Sequence, residues 1–414
     1  MLYRKITKCR VCGNKNLKPV VNLGRQALTG LFPLEHEVVP KGPLELVRCV
    51  KSNSNNCGLV QLNHNYDLSV LYGDNYGYRS GLNKSMVMHL ASIVEKIKKK
   101  VEIKKGEIVV DIASNDGTLL RSYQLKGVTL VGIDPTIKKF KSFYTSDIQT
   151  IPDFFSAKAY NKRFFKKAKV VTSIAMFYDL ENPISFTEEV RDILDDDGIW
   201  VFEQSYMPDM FKNVSYDTIC HEHLEYYALQ QVKWMTDRVG LKIIDVELND
   251  SNGASFCVTV AKQNSSFKVK TAVIDKILDQ EKRAGINSEK TYKLFEENVK
   301  KHKKDMISFL DKIKKDGHKI LGYGASTKGN VILQYCNITR DDIPFIADVN
   351  EYKHGRFTPG TKIPIISEQE AKAMKPDCFI VLPWHFKNNF LEREKEYLKK
   401  GGHLFFPLPK LEII

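Results

Sequence analysis

No stretch of the sequence approaches the roughly 18 uninterrupted apolar residues that a membrane span requires. Its first residues, Met1-Leu2-Tyr3-Arg4-Lys5, lead directly to cysteines and not to an apolar signal core, so the expectation is a cytoplasmic protein without a membrane partner. Cysteine is sparse, 8 in 414 residues, which excludes a disulfide scaffold in a reducing compartment. Also lacking are an internal repeat of short period, a Pro-Cys nucleophile, and the Asn/Asp-Pro-Pro-Tyr motif used on nucleic-acid bases. The net charge of +13 does not reverse that exclusion. The excess lysines scatter over 96–100, 138–141, 300–304 and 312–319, the pattern of solvated helix faces, so no nucleic-acid partner is expected. An anionic, nucleotide-bearing small substrate stays compatible with it.

What is present falls into four parts. Residues 1–65 are rich in turn formers, hold four of the cysteines and read as a small metal-stapled module. Residues 66–265 open with an amphipathic helix over 82–100, its apolar face Met86, Leu90, Ile93, Val94 and Ile97. The rhythm then becomes βαβ: strands are expected at 108–112, 129–133, 170–176 and 199–202, with helices near 119–124 and 184–194. Strands at 241–248 and 255–261 are too close for a helical crossover and suggest an antiparallel edge hairpin. Residues 266–316 read as a helical connector with Leu278, Leu294, Phe295, Met306, Phe309, Leu310 and Ile313 in its buried stripes. A second, smaller α/β domain occupies 317–414, with strands at 320–322, 345–347, 378–382 and 403–406 and helices at 328–335 and 388–399. The fold class is therefore α/β, with two Rossmann-like domains behind a small N-terminal module.

Cys9 and Cys12 have the two-residue spacing that lets two thiolates face one metal ion, and Cys49 and Cys57 complete a tetrahedral set. Four thiolates suit zinc and leave no open position, so the site is expected to be structural. Free buried thiols are the competing reading. Cys220, Cys257, Cys336 and Cys378 are expected to be small core hydrophobes.

The first strand ends in Asp111, and Ala113-Ser114-Asn115-Asp116-Gly117 follows as a small-residue turn before a helix. Ligands of doubly wound sheets bind at this carboxyl edge. Asp134 closes the next strand, where a carboxylate can accept from both hydroxyls of a ribose. The turn lacks the three-glycine pattern that brings a pyrophosphate to a helix N-terminus and carries the polar Asn115-Asp116. That favours a phosphate-free ligand bearing a cationic sulfonium, S-adenosylmethionine, over a nicotinamide dinucleotide.

A second dense cluster, Tyr216-Asp217-Thr218-Ile219-Cys220-His221-Glu222-His223-Leu224-Glu225-Tyr226-Tyr227, follows the strand at 199–202 and so lies near the same sheet edge. Histidines, a carboxylate and tyrosines can move a proton and hold a hydroxylated substrate. In extended chain His221 and His223 share a face and could bind metal, but no third ligand stands at useful spacing; a purely structural pair is the other alternative. The preferred role for His223 is general base, because imidazole titrates near working pH. In the last domain Gly322-Tyr323-Gly324-Ala325-Ser326-Thr327-Lys328-Gly329 joins a strand to a helix and offers N–H groups and an ammonium to an anion, although its last glycine is one position late for dinucleotide spacing.

These motifs, in this order, resemble the sugar C-methyltransferase family of deoxysugar biosynthesis over nearly the whole chain. The resemblance implies a zinc module, a class I methyltransferase domain and a C-terminal α/β domain that helps hold a nucleotide-linked 4-keto-deoxysugar as substrate. It implies that His223 removes the C3 proton beside the C4 ketone, that Glu222 positions the sugar, and that Tyr78 reaches the site, with Tyr76 as the neighbouring alternative. His221 is carried as a further catalytic candidate, and Tyr76, Arg79, Tyr226, Gly324, Ser326, Lys328 and His385 as substrate contacts. The family commonly has tyrosine in place of Cys220 and glycine in place of Ala113. The chain is expected to act as a monomer. A zinc-containing nucleic-acid methyltransferase and a noncatalytic binding protein of the same fold are the alternatives.

Overall fold

A computed structural model describes residues 2–71 and 78–414. The N-terminal part forms β1 (Tyr3–Lys5), β2 (Leu17–Ala27), β3 (Lys41–Cys49), β4 (Val60–Leu62) and β5 (His64–Tyr66). The central part forms β6 (Ile108–Ile112), β7 (Thr129–Ile133), β8 (Ile148–Ile151), β9 (Ala168–Ile174), β10 (Leu194–Ser205), β11 (Glu225–Tyr226), β12 (Leu241–Asn249) and β13 (Ser255–Lys262). The last part forms β14 (Ile320–Tyr323), β15 (Ile346–Asp348), β16 (Ile365–Ser367), β17 (Cys378–Val381), β18 (His403–Phe406) and β19 (Glu412–Ile413).

The central sheet has the order β12-β13-β10-β9-β6-β7-β8. Only β13 runs against its neighbours, so the expected edge hairpin is antiparallel as read. Every residue of β6 is buried, the signature of a strand covered on both faces. Helix Lys84–Lys100 supplies part of that cover through Met86, Leu90, Ile93, Val94 and Ile97, the five positions its periodicity marks. Its entry is capped by Asn83, whose side chain accepts from the Ser85 N–H. The edge strand β8 was not expected from the sequence, because Ile148-Gln149-Thr150-Ile151 is short and half polar.

The C-terminal sheet has the order β16-β15-β14-β17-β18-β19, parallel except for β19. The helix expected at 388–399 is two, Lys387–Arg393 and Lys395–Lys399. The break falls at Glu394, which turns inward to accept from the Tyr323 hydroxyl at 2.7 Å and from Lys372. The connector is helices Thr271–Arg283 and Glu289–Lys315. Its stripe runs through Tyr292, Phe295, Val299, His302, Met306 and Leu310 at spacings of three and four, which leaves Leu294 half exposed and not buried as expected.

The N-terminal sheet has the order β11-β4-β3-β2. Its β11 belongs to the central part of the chain and begins two residues after His223. The N-terminal module therefore grips the segment that carries the candidate base. Among the described residues no helix is long and apolar enough to cross a membrane.

Candidate active site

A deep pocket opens where β6 and β9 part at the carboxyl edge of the central sheet, the switch point at which doubly wound folds take ligands. Its described lining contains four carboxylates, Asp111, Asp134, Asp179 and Glu203, and no lysine or arginine. A pyrophosphate would be repelled there, and a ligand carrying a sulfonium and an ammonium would be held. Phe154, Phe155 and Pro135 give it an apolar wall suited to a purine. Burial pushes the Asp111 carboxyl up to about 7, against the hydroxyl of Thr172, which donates to it at 2.6 Å.

Four non-glycine residues of the lining, Ala113 (φ 58), Asn115 (φ 50), Ala175 (φ 54) and Asn252 (φ 52), lie in the left-handed region. Ala113 thus occupies a conformation that glycine adopts without strain. Ser114 donates to the Tyr144 hydroxyl, which in turn donates to the Asn115 carbonyl.

The side chains of Asn115 and Asp116 do something the sequence reading did not foresee. Asn115 Oδ1 accepts from the Ser80 N–H at 2.9 Å and its Nδ2 donates to the Tyr78 carbonyl, while Asp116 Oδ2 accepts from the Gly81 N–H at 3.0 Å. They tie the 78–81 segment over the pocket. Asp116 and Gly117, both expected at the donor, do not line it; Gly117 (φ 74) precedes the following helix. Asp134 lines the pocket, but its oxygens accept from the Asn115 N–H and from Thr136, so it braces the turn as well as facing the ligand. Arg79, expected on substrate, instead stands 3.9 Å from Asp116 and 4.1 Å above the Phe143 ring. Tyr78 lines the pocket half exposed, in position to reach a substrate. Tyr76 lies outside the described residues.

Glu203 went unremarked in the sequence because a carboxylate at a strand end carries no local signal. It lies two residues before the end of β10, accepts from Asn249 at 2.8 Å and pairs with His89 Nε2 at 2.5 Å. Asn252 went equally unremarked, yet it lines the pocket from a strained turn (φ 52) and reaches the second crevice described below.

His223 Nδ1 lies 2.8 Å from the Thr218 carbonyl. A carbonyl only accepts, so Nδ1 carries the hydrogen and Nε2 keeps its lone pair. Burial and the charge of Lys328 hold its pKa down to about 3, which keeps the ring neutral. Tyr178 packs edge-on at 4.3 Å, and its carbonyl accepts from the Leu224 N–H. Tyr226, expected on substrate, is wholly buried and donates to the same Thr218 carbonyl, so it supports the loop.

His221 departs from its expected catalytic role. It is 0% exposed, packs on Tyr66 at 4.9 Å, and takes the Thr29 N–H at 3.4 Å on Nδ1. The segment turns here, the His223 N–H bonding the Cys220 carbonyl at 3.3 Å, and Glu222 faces Gly30: a Cβ on Gly30 would overlap its carboxylate. Burial pushes the Glu222 carboxyl up; the Cys220 thiol bonds it, and Oε2 has no partner.

The second crevice lies where β14 and β17 part in the C-terminal sheet. Lys328 and His385 meet Asp217 and Asn252 of the central domain there. Lys328 Nζ donates to the Asn252 carbonyl at 2.8 Å, and Trp384 Nε1 donates to Asp217 Oδ2 at 2.8 Å. Asp217 Oδ1 and His385 Nδ1 are buried without partners. Burial lowers the Lys328 ammonium, a shift opposed by the charge of Asp217. Gly324 and Ser326, expected on substrate, have structural tasks. Gly324 (φ 83) packs so close to Pro383 that a Cβ would come within 2.6 Å of its Cδ, and Ser326 caps helix Thr327–Tyr335 by accepting from the Gly329 N–H.

The Sγ atoms of Cys9, Cys12, Cys49 and Cys57 lie within 4.8 Å of one another. The pairs Cys9–Cys57 and Cys12–Cys49 are each 3.5 Å apart, near the roughly 3.8 Å between thiolates set tetrahedrally at about 2.3 Å from zinc. Asn14 donates to Cys49 Sγ at 3.4 Å, an outer-shell contact of the kind that orients a metal ligand. These residues fit a structural zinc ion.

Three family models match the chain. They are a domain described as zinc binding over residues 9–72, a methyltransferase domain over 86–246, and a C-methyltransferase C-terminal domain over 250–409. The C-methyltransferase NovU of Streptomyces niveus is 29% identical, with 100% of this chain and 98% of that protein covered. Among solved structures, a chain of the complex between the Haloferax volcanii Trm112 methyltransferase activator and a methyltransferase matches 44% of this chain and 94% of its own, at 13% identity and a TM-score of 0.36. The plantazolicin methyltransferase BpumL in complex with SAH matches 42% of this chain and 82% of its own, at 13% identity and a TM-score of 0.34.

Proposed function

We propose that this chain, a member of the S-adenosylmethionine-dependent C-methyltransferases that join a zinc-binding, a methyltransferase and a C-methyltransferase C-terminal domain, methylates C3 of a nucleotide-linked 4-keto-6-deoxysugar. The observation that carries the reading is His223, with Nδ1–H held by the Thr218 carbonyl, Nε2 left with its lone pair, and the ring packed on Tyr178, whose neighbour Asp179 lines the donor pocket. When bound, S-adenosylmethionine supplies an electrophilic methyl group on a sulfonium. A carbon nucleophile must still be made, and a ring carbon next to a ketone becomes one on loss of its proton.

His223 takes that proton. Glu222, with a buried unpartnered oxygen, is suited to accept a sugar hydroxyl. Tyr78 faces the pocket from the segment that Asn115 and Asp116 pin in place. Asp111 and Glu203 would face the donor's cationic end, and Asp134 its ribose hydroxyls. Lys328 and His385 close the crevice from the C-terminal domain, which would hold the nucleotide-bearing part of the substrate. Cys9, Cys12, Cys49 and Cys57 would hold zinc in a closed site and act on the chemistry only through β11, the strand after His223.

The test uses full-length protein, S-adenosylmethionine and a panel of nucleotide-linked 4-keto-6-deoxyhexoses in deuterium oxide. We expect a gain of one methyl mass and exchange at C3, with His223→Ala lowering turnover by about 10²–10⁴-fold. Exchange at C5 would move the reaction to the other flank of the same ketone. Full turnover in His223→Ala would remove the base from the scheme.

A further inference from the structure

We propose that Lys328 stabilises the enolate, donating from its ammonium to the ketone oxygen of the sugar as His223 removes the neighbouring proton. This rests on the carbon-methylation reading above and assigns Lys328 to the reacting end of the substrate, not to its diphosphate.

The geometry points that way. Lys328 is the second residue of helix Thr327–Tyr335, yet its Nζ reaches out of the C-terminal domain to the Asn252 carbonyl at 2.8 Å. Asn252 lines the donor pocket. The ammonium therefore stands where the donor pocket and the second crevice meet. The helix that carries Lys328 packs against the turn Tyr216–Thr218, whose Thr218 carbonyl holds His223 Nδ1, so the base stands at the same junction. A carbon that is methylated must lie between the methyl donor and the base, and a ketone oxygen adjoining that carbon is about 2.4 Å from it by ordinary covalent geometry. A cation adjoining both donor and base is thus within reach of that oxygen, whereas a diphosphate lies on the far side of the ring.

The electrostatics of the site agree. Among the described residues no carboxylate forms an ion pair with Lys328; Asp217 acts on it through space while its own Oδ2 accepts from Trp384. An ammonium so placed has donors to spare, since one hydrogen goes to Asn252 and two remain. Around it, Asp217 Oδ1 and His385 Nδ1 are buried and unpartnered, which marks a pocket made for polar groups that the protein itself does not supply. Burial and the charge of Lys328 hold His385 well below the ordinary imidazole range, so it adds no positive charge beside Lys328.

The step balances as follows. His223 Nε2 takes the proton, the C–H electron pair becomes the enolate double bond, and the carbonyl π pair moves to oxygen, where Lys328 donates to it. As the enolate carbon bonds to the methyl carbon, the S–CH₃ pair stays on sulfur and the ketone re-forms. The proton on His223 then leaves to water, and the ammonium keeps its own hydrogens throughout.

The experiment compares Lys328→Met and Lys328→Gln with wild type in the full chain, using UDP-, GDP- and dTDP-linked 4-keto-6-deoxyhexoses. Met removes charge and donor at similar volume; Gln still donates to Asn252 and so keeps the tether between domains. We expect kcat and the rate of deuterium washout beside the ketone to fall together by about 10²–10³-fold in both variants. KM, inhibition by the free nucleoside diphosphate, affinity for S-adenosylmethionine and melting temperature should stay near the wild-type values. A KM or inhibition constant raised tenfold with kcat retained would assign Lys328 to the diphosphate and overturn the proposal. Wild-type activity in Gln with loss only in Met would reduce Lys328 to a tether, which also overturns it. Should Met fail to fold, Gln alone decides between these outcomes. If the wild type itself neither exchanges nor methylates any of the sugars, the carbon-methylation reading fails and the inference falls with it, a result distinct from a defect confined to the variants.

Discussion

His221 makes the stability of this protein depend on pH in a way that can be isolated. The ring is 0% exposed between Tyr66 and the Thr29 N–H, and burial holds its pKa down to about 3 from an ordinary 6.5. Between those values the unfolded chain binds a proton that the folded chain refuses. Stability is therefore fully present above about pH 6.5 and is lost progressively as the pH falls toward 3. At about pH 5, some 1.5 units below the ordinary value, the loss at roughly 1.4 kcal/mol per unit is about 2 kcal/mol. Replacing His221 with Asn removes the titration while its Oδ1 stands near the position of Nδ1, still able to accept from Thr29. The assay is equilibrium urea unfolding of wild type and His221→Asn at about pH 7.5 and about pH 5, reading the pH-dependent loss in each. His223 titrates in both proteins and cancels from the difference. Wild type should lose about 2 kcal/mol more than the variant over this interval. Parallel losses in the two proteins would show that His221 can be protonated in place, and the reasoning from its burial would be refuted.

Two further outcomes follow from the backbone and the cysteines. Ala113→Gly relieves a left-handed residue, worth about 1–2 kcal/mol, against about 0.4–1 kcal/mol of added freedom in the unfolded chain, so a net gain of about 0.5–1 kcal/mol is expected in urea unfolding; a net loss would mean that the alanine methyl is needed for packing. Elemental analysis should find one zinc ion per chain, lost on chelation or in Cys12→Ser, and hydrogen exchange at Glu225 and Tyr226 should then quicken because β11 is paired to β4 of the metal module. Metal loss without faster exchange there would separate the module from the catalytic loop.

Where an element's character is written in adjacent residues, the sequence was legible. The strands Ile108–Ile112 and Thr129–Ile133 and the five buried positions of helix Lys84–Lys100 follow from unbroken apolar runs and a 3.6-residue period. The cysteine set was legible too, because the choice of thiols limits what they can bind and their partners only had to be near in space. The short strand β8 was lost because Gln149 and Thr150 break its apolar pattern, and β11 because two residues carry no period at all. Leu294 misled because apolarity alone does not say which face of a charged helix is buried.

The site was legible in its residue types and not in their tasks, and the reason is that tasks are assigned by partners brought together by the fold. Asp116 looks like a ligand contact until the Gly81 N–H occupies its oxygen, and Asn115, which lines the pocket, also accepts from the Ser80 N–H. Arg79 looks like a substrate cation until Asp116 and Phe143 engage it. His223 is preferred as base and His221 carried beside it until the N-terminal part seals His221 and leaves His223 Nε2 with its lone pair. Lys328 reads as a phosphate contact at a helix start until its ammonium is found on Asn252, 76 residues earlier in the chain and at the edge of the donor pocket. Apart from the Thr218–His223 bond, the deciding contacts bridge segments 35 or more residues apart, so the chemistry of this cleft is set by how the chain packs and not by local sequence.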